Sequence, residues 1–339
     1  MRVDICTFVP HTLPMIIITG ANGFIGSAMV WELNQKGMTD IVCVDTIGLE
    51  KHNLLQKRQF SKFLLKDELW NFLNSSEAKN KVDWIIHMGA CSSNTETNAE
   101  FLRENNTLYT QRIFEWCREQ GKNLIYASSA ATYGAGEMGF DDTTDPEKLK
   151  ALNLYGESKL LFDRWALKQS KTPPHWYGLK FFNVFGPNEY FKEGMASVAF
   201  KAYHQILKNH SLGLFKSHHN DYRDGEQMRD FVYVKDVTSW MHELMVKKPQ
   251  NGIYNMGFGQ ARTWLDLARS VFSAMKKEIK IDWLEVPANI RSQYQYFTEA
   301  NMKKWASQGL SAPKWPLEKA VTDYVENHLS KDHLKDQLL

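Results

Sequence analysis

Short β-branched runs alternate with stretches of helical spacing through the first half of the chain. Met15-Ile-Ile-Ile-Thr19 is continuously apolar, as a strand buried on both faces must be, and it leads straight into Gly20-Ala-Asn-Gly23-Phe-Ile-Gly26, a glycine turn. Ala28, Met29, Trp31, Glu32 and Leu33 suit a helix from Ser27 to Lys36, with Gly37 as its stop. Ile41-Val-Cys-Val-Asp45 predicts a second buried strand. The alternation returns with Val82-Asp-Trp-Ile-Ile-His87, a helix over about 98–119, Leu124-Ile-Tyr-Ala-Ser128 and a helix over about 155–169. Strand, helix, strand repeated this often predicts an α/β fold, a doubly wound parallel sheet covered on both faces.

Beyond Tyr177-Gly-Leu-Lys-Phe-Phe182 the pattern loosens. Gly186-Pro187, a helix-like stretch at 196–207 and a polar run at 218–230 interrupt the sheet. Phe231-Val-Tyr-Val234 and Ile253-Tyr-Asn-Met256 read as short returning strands, and 263–275 and 317–328 as amphipathic helices. The division expected is residues 1–14 as an N-terminal extension, 15–186 plus 229–256 as a dinucleotide-binding domain, and 187–228 plus 257–339 as a smaller, discontinuous substrate lobe.

Composition narrows the classes without naming one. At 339 residues, 43% hydrophobic and 24% charged, the chain has room for one large or two close domains and is neither disordered nor fibrous. A formal charge of +2, from 41 basic and 39 acidic residues, gives no broad footprint for nucleic acid or an anionic membrane. Small molecules or further copies of the chain are the expected partners. Cys6, Cys43, Cys91 and Cys117 show no C-x-x-C spacing, so neither a disulfide framework nor a zinc site is indicated, and a reducing cytoplasm is expected. No apolar run approaches the roughly 18 residues of a membrane span, and Met1 to Pro14 carry no export-signal pattern. The adjacent His218 and His219 lack a third ligand at sensible spacing and read as a solvated loop, so no metal is expected.

Three features carry chemistry. Gly20, Gly23 and Gly26 stand where a strand hands over to a helix, so a pyrophosphate can reach the free N–H groups of the helix N-terminus; a tight turn without a ligand would use the same residues. Asp45 ends the second strand, where a carboxylate can accept hydrogen bonds from an adenosine ribose, which by itself favours NAD. Lys51 and Lys66 follow, either as solvated lysines or as charge for a 2′-phosphate. Tyr155 and Lys159 lie four apart on one helix face, and of the 13 tyrosines only Tyr155 has Lys four residues later. A phenol titrates near roughly 10, but a nearby ammonium and an oxidised nicotinamide both favour the phenolate. Ser128 and Ser129 end the strand upstream, where one hydroxyl can meet a substrate alcohol.

Thr19-Gly-x-x-Gly-x-x-Gly26, Ser129 and Tyr155-x-x-x-Lys159 together resemble the extended short-chain dehydrogenase/reductase superfamily, over nearly the whole chain from Met15. More narrowly, six runs in order resemble its ADP-L-glycero-D-manno-heptose 6-epimerase family: His87-Met-Gly-Ala-Cys-Ser-Ser93, Tyr126-Ala-Ser-Ser-Ala-Ala-Thr-Tyr-Gly134, Asn153-Leu-Tyr-Gly-Glu-Ser-Lys159, Phe182-Asn-Val-Phe-Gly-Pro187, Met195-Ala-Ser-Val-Ala-Phe200 and Arg229-Asp-Phe-Val-Tyr-Val234. The resemblance implies inversion at C6 of the heptose of an ADP-sugar for the lipopolysaccharide core, with NADP as cofactor (NAD as the alternative). It also implies a homo-oligomer, pentameric in the family.

By the same resemblance, Tyr155 and Lys192 are acid/base residues, Lys159 holds the nicotinamide ribose and Ser129 meets the reacting hydroxyl. Cofactor positions fall on Phe24, Ile25, Asp45, Thr46, Lys51, Lys66, Met88, Gly89, Ala90, Cys91, Ser92, Asn105 and Val184, beside the glycines. Substrate positions fall on Asn183, Gly194, Lys201, Phe215, Arg229 and Tyr294, with Arg229 suited to a diphosphate. The chain departs from the family's usual pattern at Met88, where an acid is usual, at Gly194 for serine and Lys201 for histidine, and in a longer stretch between Phe215 and Arg229. Three rivals share the fold. A 4,6-dehydratase would carry an Asp-Glu pair where Ala130 and Ala131 stand, and a non-catalytic dinucleotide sensor would be expected to have lost Tyr155 or Lys159. A 4-epimerase on another nucleotide sugar remains the nearest alternative.

Overall fold

The computed structural model describes residues 14–51, 53–291 and 294–331. The N-terminal extension, apart from Pro14, and Cys6 lie outside them. Six strands follow one another, with helices in every connection but that from β2 to β3: β1 (Met15–Thr19), β2 (Ile41–Asp45), β3 (Lys62–Leu65), β4 (Val82–His87), β5 (Asn123–Ser129) and β6 (Trp176–Phe181). With β10 (Gly252–Met256) they form a seven-stranded sheet in the order β10-β6-β5-β4-β1-β2-β3, every pair parallel. This is the doubly wound arrangement, and the order reverses between β1 and β4, the crevice where ligands of such sheets bind. Ile16 and Ile18 pack on one face with Met29, Trp240 and Trp305; Ile17 packs on the other with Val42, Phe114 and Phe162. Two covered faces explain why β1 has no polar alternation.

The first helix starts at Phe24 rather than Ser27, because the glycine turn closes at Gly23 and its first turn is already helical. Gly37 follows the C-cap Lys36 with φ +74°, as a helix stop requires. The edge strand β3 escaped the sequence reading: it is four residues long and only half-buried, and its apolar run is three residues, Phe63-Leu64-Leu65, between lysines.

The smaller part of the molecule is built on short strands. β7 (Asn183–Phe185) pairs parallel with β9 (Met228–Tyr233), which pairs antiparallel with β11 (Ala261–Thr263); β8 (Leu212–Phe215) pairs parallel with β12 (Ile281–Leu284). Helices Val198–Asn209 and Trp264–Ala274 cover them through Tyr203, Ile206, Leu267, Val271 and Phe272. The end of the polar run at 218–230 thus belongs to β9, not to a loop, since Asp230 is sheltered by N–H donors of Phe258, Gly259 and Ala300. Val234, expected to end that strand, begins the Val234–Lys247 helix, which packs against the first helix across Phe24 and Ala28.

Candidate active site

A cavity of about 710 Å³ opens at the carboxyl ends of β1, β2, β4 and β5. Its floor is the glycine turn. Gly20 has φ +65°, and a side chain there would strike the backbone of Gly89; a Cβ on Gly26 would lie 2.0 Å from the Gly20 carbonyl. Both glycines are therefore dictated by close approach of backbone to backbone. Gly23 caps the first helix without a side-chain partner, so the first-turn amides of Phe24, Ile25 and Gly26 border the cavity as an anion site. Asp45 is aimed by three backbone donors, from Asn22 (2.9 Å), Thr46 (2.7 Å) and Ile47 (3.3 Å). A buried chain beneath the turn fixes the crevice. Thr110 gives its hydroxyl proton to the Asn106 carbonyl (2.6 Å), so His87 Nε2 donates to Thr110 (3.0 Å) and His87 Nδ1 accepts from Thr19 (2.6 Å). Thr19 in turn accepts from Gly89 N–H (3.1 Å). Burial, with Lys159 and Lys66 nearby, holds the imidazole neutral, with its pKa down to about 3.

The reactive groups form the opposite wall. Asn153 caps the Leu154–Leu167 helix, its side chain accepting from Gly156 N–H (2.8 Å), and Tyr155 and Lys159 follow on one face. The Tyr155 hydroxyl shares a hydrogen bond with Ser129; burial raises the phenol pKa while that bond opposes the rise. Lys159 Nζ donates to the Ala127 carbonyl (2.8 Å), and burial lowers its pKa to about 8 against the pull of Asp163. Lys192 enters from the turn after Gly186-Pro187, its Nζ 5.3 Å over the Phe24 ring. Burial lowers its pKa and the carboxylate of Glu189 opposes.

Sequence reasoning placed most of this wall. Gly20, Gly23, Phe24, Ile25, Gly26, Asp45, Thr46, Lys66, Met88, Gly89, Ala90, Cys91, Ser92, Asn105, Ser129, Tyr155, Lys159, Val184 and Lys192 all border the one cavity. Lys51 does not: it stands exposed on a turn outside the wall, whereas Lys66 reaches in, bonded to Asn105 (2.5 Å) over the Tyr109 ring. Asn183 is exposed beside Val184, and Lys201 donates to the carbonyl of Gly194 (2.6 Å). Phe215, Arg229 and Tyr294 meet one another away from the cavity wall: Arg229 sits 5.5 Å from both the Trp264 and Tyr294 rings, donates to the carbonyls of Met228 and Gln295, and has no acidic partner among the described residues. His218 pairs with Glu285 (3.2 Å), and His219 meets Tyr222 edge-on and Tyr296 at a tilt.

Asn106, Asp163 and Lys180 were missed. Asn106 lies in a π-helical turn, Arg103–Leu108, that interrupts the helical run from Ala99 to Gln120. The wider turn lets Asn105 and Asn106 both reach inward, and Asn106 clasps the backbone of Cys91 from both sides and the Ser158 hydroxyl. Two adjacent asparagines within a helix were the available signal.

An anion cradle at a sheet's switch point, with a phenol, a hydroxyl and an ammonium on the facing wall, defines a Rossmann-type protein equipped for redox chemistry on an alcohol. The chain belongs to the NAD dependent epimerase/dehydratase family, which matches residues 16–257. It is 45% identical to the ADP-L-glycero-D-manno-heptose-6-epimerase of Fusobacterium nucleatum, over 94% of this chain and 99% of that one. It is 47% identical to that of Nitratidesulfovibrio vulgaris, over 93% and 98%. The crystal structure of the Helicobacter pylori ADP-L-glycero-D-manno-heptose-6-epimerase superposes with a TM-score of 0.74 at 26% identity, covering 92% of this chain and 95% of that one. A UDP-glucose 4-epimerase of Thermus thermophilus, solved with NAD, shares the fold at 23% identity and a TM-score of 0.74, over 92% and 98%.

Proposed function

We propose that the protein inverts C6 of the heptose in ADP-D-glycero-D-manno-heptose to give the ADP-L-glycero epimer, by transient oxidation and re-reduction with bound NADP. The observation that carries this reading is that two separate proton-transfer groups, Tyr155 with Ser129 on one element and Lys192 on another, border a single cavity. Inversion through a ketone needs a proton partner for the oxygen in each of two orientations, and the dehydratase rival lacks its acid, with Ala130 and Ala131 after Ser129. Identity to enzymes named for this epimerisation over more than nine-tenths of both chains supports the substrate.

The cradle fits a dinucleotide: the close-packed Gly20 and Gly26 leave backbone amides that would meet a pyrophosphate, Asp45 and Thr46 would hold the adenosine ribose, and Lys66 would meet a 2′-phosphate. A bound nicotinamide would supply the redox chemistry, a hydride acceptor and donor for C6. Ser129 holds the substrate hydroxyl against Tyr155, which takes its proton in one orientation, while Lys192 serves the other. Lys159, an ammonium at neutral pH, keeps the phenolate accessible and orients the nicotinamide ribose. Arg229, with Phe215 and Tyr294, receives the ADP diphosphate, and Asn183, Gly194 and Lys201 border the sugar. The resemblance adds a cytoplasmic homo-oligomer supplying lipopolysaccharide precursors; no helix among the described residues is long and apolar enough to cross a membrane.

The test is isotopic. In heavy water the product should carry no deuterium at C6, and substrate deuterated at C6 should keep its label through inversion. Lys192→Ala should slow both directions while sparing cofactor affinity. Solvent deuterium at C6 would replace the redox route with carbanion chemistry.

A further inference from the structure

Behind the reactive wall, three consecutive residues at the end of β5 are each tied down by a different buried charge. Lys159 donates to the Ala127 carbonyl (2.8 Å). Asp163, one helical turn further on, accepts from the Ser128 hydroxyl (2.7 Å) and from Tyr126 (3.0 Å). Lys180 on β6 lies 3.4 Å from the Asp163 carboxylate and donates to Thr132 Oγ1 (2.6 Å), whose hydroxyl donates to the Ser129 carbonyl (2.7 Å). Asp163 is wholly buried and Lys180 is 2% exposed, its Nζ 4.4 Å from the Tyr133 ring.

A buried ion pair is often no better for stability than apolar side chains of the same volume, so stability alone does not account for one placed here. We infer that Asp163 and Lys180 are positioning residues for the proposed epimerisation: the pair locks Ser129 to the Tyr155 helix, with the Asp163 carboxylate one helical turn beyond Lys159 on the same face. The inference rests on the functional reading above. The titratable groups facing Lys159 are Asp163 and Tyr155 on its own helix, Cys91 from the loop after β4 and neutral His87 on β4; Lys180 and Lys66 stand behind Asp163 and His87. Asp163 is the only carboxylate among them. Without its charge, burial pushes the Lys159 pKa below its value of about 8, so the ammonium is lost at lower pH.

The experiment compares pH profiles of wild type, Asp163→Asn and the double variant Asp163→Asn/Lys180→Met. Asp163→Asn should lower kcat about tenfold at pH 8 and move the alkaline limb down by about one pH unit, with KM and cofactor affinity within about twofold. The double variant, with no unpaired buried charge, should recover thermal stability yet keep the lowered kcat and the displaced limb; it decides the matter where the single variant fails to fold. A limb at the wild-type position, or a double variant with wild-type kcat, would overturn the inference. Competitive acetylation of Lys159 by acetic anhydride across pH, read by mass spectrometry, needs no sugar substrate and so separates this inference from the epimerase reading. Its midpoint should fall in Asp163→Asn, and an unmoved midpoint would overturn the inference even if the wild type epimerises nothing.

Discussion

In the seven-stranded sheet, each reactive side chain sits within a residue or two of a strand's carboxyl end or in the opening turns of a helix: Asp45 closes β2, Ser129 closes β5, and Tyr155 is the second residue of its helix. In the smaller part, Arg229 lies near the start of a six-residue strand and is held by Gln295, Trp264 and Tyr294, the first 66 residues away in sequence. The first region encodes its chemistry locally, through strand ends, glycine turns and helix spacing. The second assembles it from distant pieces. The sheet region should therefore lose chemistry or cofactor when a single atom changes, whereas the smaller region should lose only its hold on the sugar nucleotide.

The sharpest test is Tyr155→Phe, which removes one oxygen from a helix whose cap and core are otherwise untouched. Turnover should fall by about 10³-fold with cofactor affinity unchanged, as expected for a missing acid/base group. Steady-state kinetics with fluorescence titration of the cofactor would check it, and near-normal turnover would move the chemistry elsewhere.

Gly26→Ala breaks the same region from its floor. The added Cβ would stand 2.0 Å from the Gly20 carbonyl, so the turn must open. Cofactor affinity should fall about a hundredfold and stability by about 1–3 kcal/mol, the usual cost of overpacking. Calorimetric binding and thermal melts separate the two losses, and retained affinity would remove the cradle from cofactor binding.

The same contrast decides what could be read from the sequence. The order of strands and helices was legible because β1, β2 and β4 are covered on both faces and carry apolar runs of three or four residues, Met15-Ile-Ile-Ile18, Ile41-Val-Cys-Val44 and Trp84-Ile-Ile86. Tyr155 and Lys159 were legible because helical spacing alone puts them on one face. Edge strand β3, strands β8, β11 and β12, and the pairing of β9, whose Phe231–Tyr233 half was read as a strand, were not, since they are set by tertiary contacts rather than by periodicity. Asp163 and Lys180 were invisible for a related reason: one is on a helix and the other on β6, and only the folded sheet brings them to 3.4 Å.

Arg229→Ala tests the assembled region. Its guanidinium is nearly buried, 5.5 Å from the Trp264 and Tyr294 ring centres and without an acidic partner among the described residues, an arrangement suited to a phosphate. KM for the ADP-sugar should rise about 30-fold, with cofactor affinity unaltered, and Arg229→Lys should recover only part of the loss because the planar fork is gone. A parallel loss of cofactor affinity would erase the distinction between the two regions.

The smallest effects concern the cofactor's 2′-phosphate, where the two lysines raised by the sequence part company. Lys51 and Lys66 looked equivalent as cations downstream of Asp45. Lys66 borders the cavity, and burial lowers its pKa, so its ammonium is held partly out of water with Asn105 as its neutral partner. A phosphate dianion would supply the charge that Asn105 does not. Lys51 is exposed on its turn and its charge is screened, so it has little to add at physiological ionic strength. Lys66→Ala should weaken NADP about tenfold while changing NAD by no more than about twofold, and Lys51→Ala should change either by less than about twofold. Titration of both cofactors against both variants would check this. Equal loss of NAD and NADP on removing Lys66 would leave Asp45 as the deciding group and make NAD the cofactor, since a ribose carboxylate held by three backbone donors repels a 2′-phosphate unless a cation stands beside it.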